Sequence, residues 1–390
     1  PEDELDLQEL GEENQIAAFS ASQTVDNFDA LKKALEQGTC SEIQVSGTIS
    51  VTETLNVNRT VTISGGTLVR GAADTRLIVV GESGKLTLKN IVLDGQRGTY
   101  SLDNSLLQVE DGGSLTLQDG AVFQNNHTNS DGGAIQVSNG SLLMEGGTIQ
   151  NNETSREGGG IYIYKGSFVL KTGTISNNKA KDNGGGIYVD SMATFRMEGG
   201  EISGNTGYSG GMLLDCPQTA EIIDGIIKGN TATGTGGGIF ARCQVHITSV
   251  TITENTATHG GGITVLTTGK AAGVVMDGGS ITENHAVEKN GWGDGGGVYV
   301  DYSATLTLNN GAIINKNTAT RNGGGIANHG NVNVNGGKIT ENTSLYGGGG
   351  IYNQENVTMT SGEISRNKST DSSGGGLYSP ATLIMSGGSI

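Results

Sequence analysis

One repeated unit of about 25 residues dominates this chain. A Gly-Gly-x-aliphatic string recurs along it, and its aliphatic residue falls at Ile135, Ile161, Ile187, Met212, Ile239, Ile263, Val298, Ile326, Ile351 and Leu377. A second string, Ile-x-x-Asn, recurs in phase and ends at positions such as Asn152, Asn178 and Asn205. A fixed period of this length indicates a solenoid, in which each unit buries its apolar residues only against its neighbours.

Each repeat contains three short segments with the character of strands. In the repeat that begins at Ile161 they cover residues 161–163, 168–170 and 174–176. Alternation of apolar and polar residues, as in Phe195-Arg196-Met197, predicts strands with one buried face. Glycine and asparagine between the strands permit sharp bends, and stacked asparagines can bond from coil to coil. We therefore predict an all-β fold, a right-handed single-stranded parallel β-helix of about 13 coils with three short strands per coil.

The repeat pattern also divides the chain into segments. Residues 1–22 are rich in carboxylates and lack the repeat, which predicts an acidic linker or strap. Residues 23–42 are predicted to form an N-terminal cap with an amphipathic helix over 26–37, for which Asp26 is the expected N-cap and Gly38 the expected stop. The β-helix is predicted over 43–390, with irregular coils over 43–123 and regular repeats over 124–390. Since the last repeat is unfinished at Ile390, we expect a piece of a longer protein.

Composition excludes two classes of partner. The formal net charge is −17, so nucleic acid and anionic lipid would be repelled. The sequence has no run approaching the roughly 20 apolar residues of a membrane-spanning helix. We therefore expect neither a nucleic-acid partner nor membrane insertion by this part of the chain.

Two strings in the first regular repeats point to a family. Gly132-Gly133-Ala134-Ile135 and Phe123-Gln124-Asn125-Asn126 resemble the GGAI and FxxN repeats of the polymorphic outer-membrane protein adhesins. The wider pattern is similar to right-handed β-helix, pectin-lyase-like passenger and surface domains. This resemblance implies a bacterial protein at the cell surface or secreted, part of a larger surface protein, that binds carbohydrate or a host surface protein.

Three functions remain open because this fold hosts many of them. The leading interpretation is a non-catalytic adhesin or stalk that binds glycans or proteins through a repeated outer face. The first alternative is a polysaccharide lyase or glycoside hydrolase of the pectin-lyase-like superfamily, although the motifs of those enzymes are missing from the sequence. The second is a self-associating or ice-binding surface protein, for which the Thr-x-Thr strings at 231–233, 256–258 and 318–320 are the evidence.

Acidic residues provide one candidate site. Asp190, Asp215 and Asp301 each lie three residues beyond an anchor, on the outer face of the first strand. Asp190 and Asp215 fall on neighbouring coils, about 5 Å apart, where two carboxylates repel unless they share a proton or a cation. They are weak candidates for an acid/base pair or a Ca²⁺ site, and solvated surface acids are the alternative. We expect no other cofactor.

Aromatic residues provide a second candidate, a binding surface. One residue beyond the anchor, the sequence places Tyr162, Tyr188, Phe240, Tyr299, Tyr352 and Tyr378. Alternation along the strand turns these rings away from the core, so an exposed stripe for sugar rings or a protein is expected. The alternative is a ladder that only stabilises the sheet.

One over-long repeat, between Ile263 and Val298, provides a third candidate. Its second insertion contains His285, Glu288, Trp292 and Asp294, which form either a projecting binding loop or a tolerated excursion. The five histidines of the chain are scattered and suggest no metal cluster.

Two of the three cysteines share a place in the repeat. Cys216 and Cys243 both lie four residues beyond their anchors, so they are expected to stack on adjacent coils. They form either a disulfide or a pair of buried thiols. Cys40 has no visible partner in the sequence.

Overall fold

The computed structural model describes residues 22–99 and 103–390, and the predicted linker over 1–22 lies almost entirely outside that range. The described chain winds into a parallel β-solenoid of about 13 turns. Every pair of stacked strands is parallel, in register from one coil to the next. The all-β fold predicted from the repeat is confirmed.

Three faces form the wall of the solenoid. The first face begins at the anchor residue and comprises Leu55–Val57, Ile78–Val80, Leu107–Val109, Ile135–Val137, Met212–Leu214, Ile239–Ala241, Ile263–Val265, Val298–Val300, Ile326–Asn328, Ile351–Asn353 and Leu377–Tyr378. The second face comprises Ser22–Val25, Glu42–Val45, Thr60–Ser64, Lys85–Lys89, Ser114–Leu117, Ala220–Ile222, Gln244–Ile247, Gly273–Met276, Thr305–Leu308 and Thr382–Met385. The third face comprises Thr48–Val51, Thr67–Arg70, Val92–Asp94, Val122–Gln124, Glu201–Ser203, Ile226–Lys228, Thr251–Thr253, Ser280–Thr282 and Ile313–Asn315.

Some strands run through a corner, and a fourth ladder follows the third face. Strands continuous over two or three faces are Gly140–Gln150, Ile161–Ser176, Ile187–Met197, Asn331–Thr340 and Asn356–Ser365. The fourth ladder, which the sequence pattern did not indicate, consists of two-residue strands at His127–Thr128, Glu153–Thr154, Lys179–Ala180, Thr206–Gly207, Thr231–Ala232, Thr256–Ala257, His285–Ala286, Thr318–Ala319, Thr343–Ser344 and Lys368–Ser369.

Apolar side chains from the three faces fill the interior. In the coil that begins at Ile161, the side chains of Ile161, Ile163, Phe168, Leu170 and Ile175 are fully buried. Val169, between Phe168 and Leu170, points outward and is half-buried, as the period-two pattern predicts. Equivalent residues of the neighbouring coils extend this core along the axis.

Asparagine side chains form a second interior column, which we call the asparagine ladder. It consists of Asn126, Asn152, Asn178, Asn205, Asn230, Asn255, Asn284, Asn317, Asn342 and Asn367. From Asn152 onward, each side-chain amide donates to the carbonyl oxygen of the next ladder amide at 2.9–3.1 Å. The residue that takes the left-handed conformation at this bend is the one before the ladder asparagine, for example Asn177 with φ 54°. The coil-to-coil bonding predicted for these asparagines is therefore present.

A buried arginine completes the ladder at its N-terminal end. The guanidinium of Arg70, whose side chain is 1% exposed, donates to Asn126 Oδ1 at 2.5 Å and to the Thr75 carbonyl at 2.7 Å. Burial lowers the pKa of Arg70 to about 10. Since Asn126 has no ladder asparagine before it in this register, Arg70 supplies the donor that its side-chain oxygen needs.

The helix α1, Phe28–Gln37, lies against the N-terminal end of the solenoid and buries Leu31, Ala34 and Leu35. Its N-cap is Asn27, whose side chain accepts a bond from the Ala30 N–H at 3.0 Å, so the expectation that Asp26 caps the helix is wrong. Asp26 instead accepts a bond from the Asn27 side chain at 2.8 Å. Gly38 ends the helix as predicted.

Candidate functional site

The aromatic side chains near the middle of the first face are buried. Tyr162 and Tyr188 are each 7% exposed and Phe240 is 2% exposed, and they pack with Leu213 in one cluster. The expectation that these three rings stand exposed is wrong. The glycine-rich loop before each strand folds back over the outer face: a Cβ at Gly184 would lie 3.0 Å from the Tyr188 Cβ. In this region the sequence-predicted stripe is a packed ladder, with the rings of Tyr162 and Tyr188 5.3 Å apart.

The acidic pair lies beside this buried ladder. One carboxylate oxygen of Asp190 accepts a bond from the Tyr162 hydroxyl at 3.1 Å, and the other accepts bonds from Ser191. Burial raises the pKa of the Asp215 carboxyl, and the charge of Asp190 raises it further, while Lys270 and Arg242 lower it. The structure therefore places Asp190 and Asp215 near each other.

Aromatic and imidazole rings of the C-terminal half make a longer arrangement, which we call the aromatic row. The rings follow one another in the order Trp292, His259, Tyr299, His329, Tyr352 and Tyr378. The distances between successive ring centroids are 5.4, 4.7, 5.2, 6.4 and 5.4 Å. The row therefore runs parallel to the solenoid axis across several coils.

Two small residues explain how histidines enter the row. In the strand register, Ala327 stacks between Tyr299 and Tyr352, where both neighbouring coils carry a ring. His329 follows two residues after Ala327, just beyond the end of the strand Ile326–Asn328. Its ring contacts the rings of both tyrosines. In the coil that precedes Tyr299, Thr264 occupies the same place in the strand. Its hydroxyl donates to the His259 carbonyl at 2.9 Å. Side chains from two different sites of the repeat thus make one continuous surface.

Two exposed aromatic side chains extend this surface, one at the first position of the row and one beside His329. Trp292 is 53% exposed and Tyr302, whose ring lies 5.7 Å from that of His329, is 61% exposed. The Arg321 guanidinium lies 5.9 Å from the Trp292 ring, within reach of a cation–π interaction. A surface cavity of about 250 Å³ beside Tyr302 is lined in part by His329, Asn331 and Glu355. The five rings from His259 to Tyr378 are therefore the half-buried floor of a shallow trough, and Trp292 lies at its edge.

Neutral rings suit this trough. Burial lowers the pKa of both His259 and His329, although neighbouring carboxylates such as Asp294 oppose the shift. The Nδ1 atom of each ring is buried without a hydrogen-bond partner. Burial also raises the pKa of the Tyr299 hydroxyl. Near neutral pH the floor is therefore uncharged.

The residues predicted from the long repeat fall in different places. Trp292 lies at the edge of the trough, next to a tight turn in which Lys289 and Trp292 exchange backbone bonds. Asp294 is 4% exposed, and its carboxylate accepts two bonds from Asn322 and lies 3.6 Å from Arg321. It therefore supports the loop from within. His285 lies on the fourth ladder, between Thr256 and Thr318 in register, with Nδ1 2.6 Å from the Thr318 hydroxyl.

Sequence reasoning missed four members of this surface: His259, Tyr302, Arg321 and His329. Their positions do not share one place in the repeat, so a search for periodic residues passes over them. The signal that was available is the small residue Ala327 between two coils that carry tyrosine at the same place. Asp301, a weak catalytic candidate, follows the Tyr299 strand and contributes to raising the pKa of that tyrosine.

Cys216 and Cys243 stack on adjacent coils, as their places in the repeat predict. Both are buried free thiols, and both line one surface cavity. Cys40 is also a buried free thiol, and it donates a weak bond to the Gln23 side chain at 3.7 Å.

Over 22–99 and 103–390, no group of three or more His, Cys, Asp or Glu side chains is arranged to hold a metal ion. Across the same part of the chain, no helix is long and apolar enough to cross a membrane.

Comparison with known proteins supports the fold. Residues 109–275 match the family model described as a right handed beta helix region. The chain is a right-handed parallel β-helix protein. Neither the search among curated proteins nor the search among solved structures gave a match.

Proposed function

We propose that this chain is a non-catalytic binding rod of a secreted or cell-surface bacterial protein, and that it binds polysaccharide chains along the aromatic row. One observation carries this proposal: six rings from neighbouring coils form a continuous, uncharged row along the solenoid axis, and five of them are half-buried. An extended polymer has the same one-dimensional form as this row.

The chemistry of the trough fits carbohydrate. Sugar rings present apolar C–H faces that stack on aromatic rings, while their hydroxyls need hydrogen-bond partners. Trp292 and Tyr302 supply exposed ring faces, and Asn331 and Glu355 supply polar groups at the edge. Weak contacts repeated along one ligand add through effective concentration. The rod therefore favours long glycans over single sugars.

The overall charge fits a surface role. A net charge of −17 limits non-specific attraction to cell surfaces, which are also negative. Specific contacts in the neutral trough then decide which surface is bound. Attachment of the rod to a larger surface protein, and a role in adhesion to host or environmental glycans, form part of this proposal.

Binding to immobilised polysaccharides tests the proposal. A panel of plant, microbial and mucosal polysaccharides is presented to the intact chain, and dissociation constants are measured for the polymers that retain it. We expect Trp292→Ala and Tyr302→Ala each to weaken binding about tenfold, since each removes an exposed stacking ring. Tyr164→Ala is the matched control, because Tyr164 is 44% exposed but lies outside the row. Equal losses in all three variants, or no retention on any polymer, would contradict the proposal.

A second candidate function rests on Asp215. Its carboxyl has a raised pKa in a partly buried setting beside Asp190, Arg242 and Lys270, an arrangement typical of an acid catalyst in polysaccharide cleavage. The same polysaccharide panel is incubated with the chain, with and without Ca²⁺, and reducing ends and unsaturated products are followed. Product that disappears in Asp215→Asn, while the fold is kept, would replace the binding rod with a lyase or hydrolase.

A further inference from the structure

The geometry points to Cys216 and Cys243 as a dithiol that a small soluble disulfide, such as glutathione disulfide, converts to a disulfide bond between adjacent coils. This inference is independent of glycan binding. It rests on three features: the register of the two residues, the cavity beside them, and the loop that borders that cavity.

The register places the two thiols side by side. Leu214 pairs with Ala241, and the Arg242 N–H bonds to the Leu214 carbonyl at 2.8 Å, so Cys216 and Cys243 follow in step. Neighbouring strands lie about 4.8 Å apart, and disulfides span Cα–Cα distances of about 4.4–6.8 Å. Both side chains line the same cavity. A bond between them therefore needs little movement of the backbone.

A cavity gives reagents access to this buried pair. Its volume is about 200 Å³, and its lining includes both cysteines together with Pro217, Thr219 and Lys270. Buried structural cysteines are ordinarily inert because nothing reaches them. Here the side chains are only 2–3% exposed, yet both face a space open to a small molecule.

The long repeat between Ile263 and Val298 has a first insertion over residues 267–273, which borders that space. The Leu266 N–H bonds to the Ala241 carbonyl, which puts Thr267 in step with Cys243. The chain then leaves the wall and returns at Gly273, whose N–H bonds to the Cys243 carbonyl at 3.2 Å. The excursion carries Lys270 and Ala271 to the rim of the cavity. A coil without the insertion would continue straight past the cysteine pair.

The surroundings distinguish the two thiols. A hydrogen bond with Cys216 lowers the pKa of the Cys243 thiol, and Lys270 lowers it as well, whereas burial opposes the shift. Burial and the same hydrogen bond raise the pKa of Cys216. Lys270 belongs to the coil next to that of Cys243, whereas Cys216 lies one coil farther away. Since the thiolate is the nucleophile and a nearby cation favours it, Cys243 attacks first and Cys216 second.

The exchange balances in two steps. The Cys243 thiolate attacks one sulfur of the small disulfide, a Cys243–sulfur bond forms, and the first small thiol leaves as a thiolate that takes up a proton. Cys216 then loses its proton and attacks the Cys243 sulfur, which releases the second small thiol. The protein dithiol is oxidised by two electrons, and one small disulfide is reduced to two thiols.

Thiol counting in a Cys40→Ala background tests the inference, because the pair then supplies the only thiols. The folded protein is incubated with glutathione disulfide, the remaining thiols are trapped with a maleimide, and the intact mass and peptide map are recorded. We expect both thiols to be lost, with a peptide linked between Cys216 and Cys243 and no glutathione retained.

Single variants in that background test the order of attack. In Cys216→Ala we expect a mixed disulfide of glutathione with Cys243, since no second thiol resolves it. In Cys243→Ala we expect Cys216 to react at least about tenfold more slowly. The inference is overturned if both thiols survive incubation in the folded protein yet react after unfolding in urea, or if the pair keeps glutathione instead of closing. Equal rates in the two single variants overturn the assigned order.

Discussion

Removal of one ladder amide in the middle of the solenoid is the sharpest test of what holds the coils together. The side chain of Asn230 makes four hydrogen bonds. Its oxygen accepts from the Asn205 N–H at 2.9 Å and from the Asn205 amide at 3.0 Å. Its nitrogen donates to the Ile202 carbonyl and to Asn255 Oδ1, both at 2.9 Å. All four groups are buried, so Asn230→Ala perturbs a column that bulk water does not reach.

The cost follows from the groups left without partners. Alanine leaves two donors on Asn205 without a partner. The Ile202 carbonyl loses its side-chain bond but keeps its place in the backbone ladder opposite Lys228, and Asn255 Oδ1 keeps its bond from the Asn230 N–H. Each unpaired buried group costs about 1–3 kcal/mol, so for two such groups the free energy of unfolding should fall by about 2–6 kcal/mol. The stability of a solenoid depends on the interfaces between neighbouring coils. The loss should therefore weaken the interfaces that the Asn230 coil makes with the coils on either side.

Urea unfolding followed by circular dichroism, with hydrogen exchange at the Asn205 amide, measures this loss. Asn356→Ala is the matched control, since that side chain bonds Asn331 on the exposed surface, and we expect a change within about 0.5 kcal/mol. The reasoning is refuted if Asn230→Ala unfolds within about 1 kcal/mol of the control, or if exchange at Asn205 is unchanged.

The isosteric change Asn230→Asp adds a pH signature. A carboxylate can accept the two bonds from Asn205 but opposes the Ile202 and Asn255 oxygens, so burial and repulsion raise its folded pKa above the unfolded value of about 3.9. A group whose pKa is raised in the folded state contributes stability at pH values below its unfolded pKa. That contribution is lost as the pH rises through the folded pKa. Relative to the unmodified chain at the same pH, the variant should therefore be less destabilised near pH 4 than near pH 7.

Three further predictions concern other parts of the solenoid. The hydrogen bond to Asp277 raises the pKa of His246, so His246→Ala should lower stability more at about pH 5.5 than at about pH 8.5. Thermal unfolding at the two pH values measures this difference, and an equal loss would contradict the prediction. Gly184 has φ +66°, and a Cβ there would lie 2.4 Å from the Ile187 carbonyl oxygen. Gly184→Ala should therefore lower the unfolding midpoint more than Gly229→Ala, because Gly229 has a similar φ of +61° but open space around it. Equal shifts in the two variants would show that the close contact has no effect. Arg70→Met leaves Asn126 Oδ1, the first oxygen of the asparagine ladder, without its donor. The N-terminal coils should lose about 1–3 kcal/mol of stability. Faster hydrogen exchange confined to those coils would reveal this loss, and unchanged exchange there would refute the prediction.

The repeat predicted the interior of this protein well. Inward residues such as Ile161 and Ile163 belong to a pattern that every coil repeats, and each coil has the same neighbours, so local sequence and final environment agree. The same holds for the ladder asparagines. The helix boundary was less well predicted, because Asp26 and Asn27 are both good capping residues and only the chain direction into the helix selects Asn27.

The candidate site was predicted only in part, since its members occupy different places in the repeat. The aromatic column contains Tyr299, Tyr352 and Tyr378, and the trough uses all three. Tyr162 and Tyr188 occupy the same column and are buried, because the loops beside them pack over the rings. His329 joins the trough only because Ala327 leaves room for its ring.

The sequence alone therefore determined the winding of the chain. A period of about 25 residues with alternating apolar positions, glycine turns and phased asparagines leaves a parallel solenoid as the structure that buries the apolar residues and pairs the asparagines. Only the tertiary structure decided which outward-facing side chains reach solvent. That choice depends on how each loop folds back over its strand and on the side chains of the coils above and below, which lie some 25 residues away and vary from repeat to repeat.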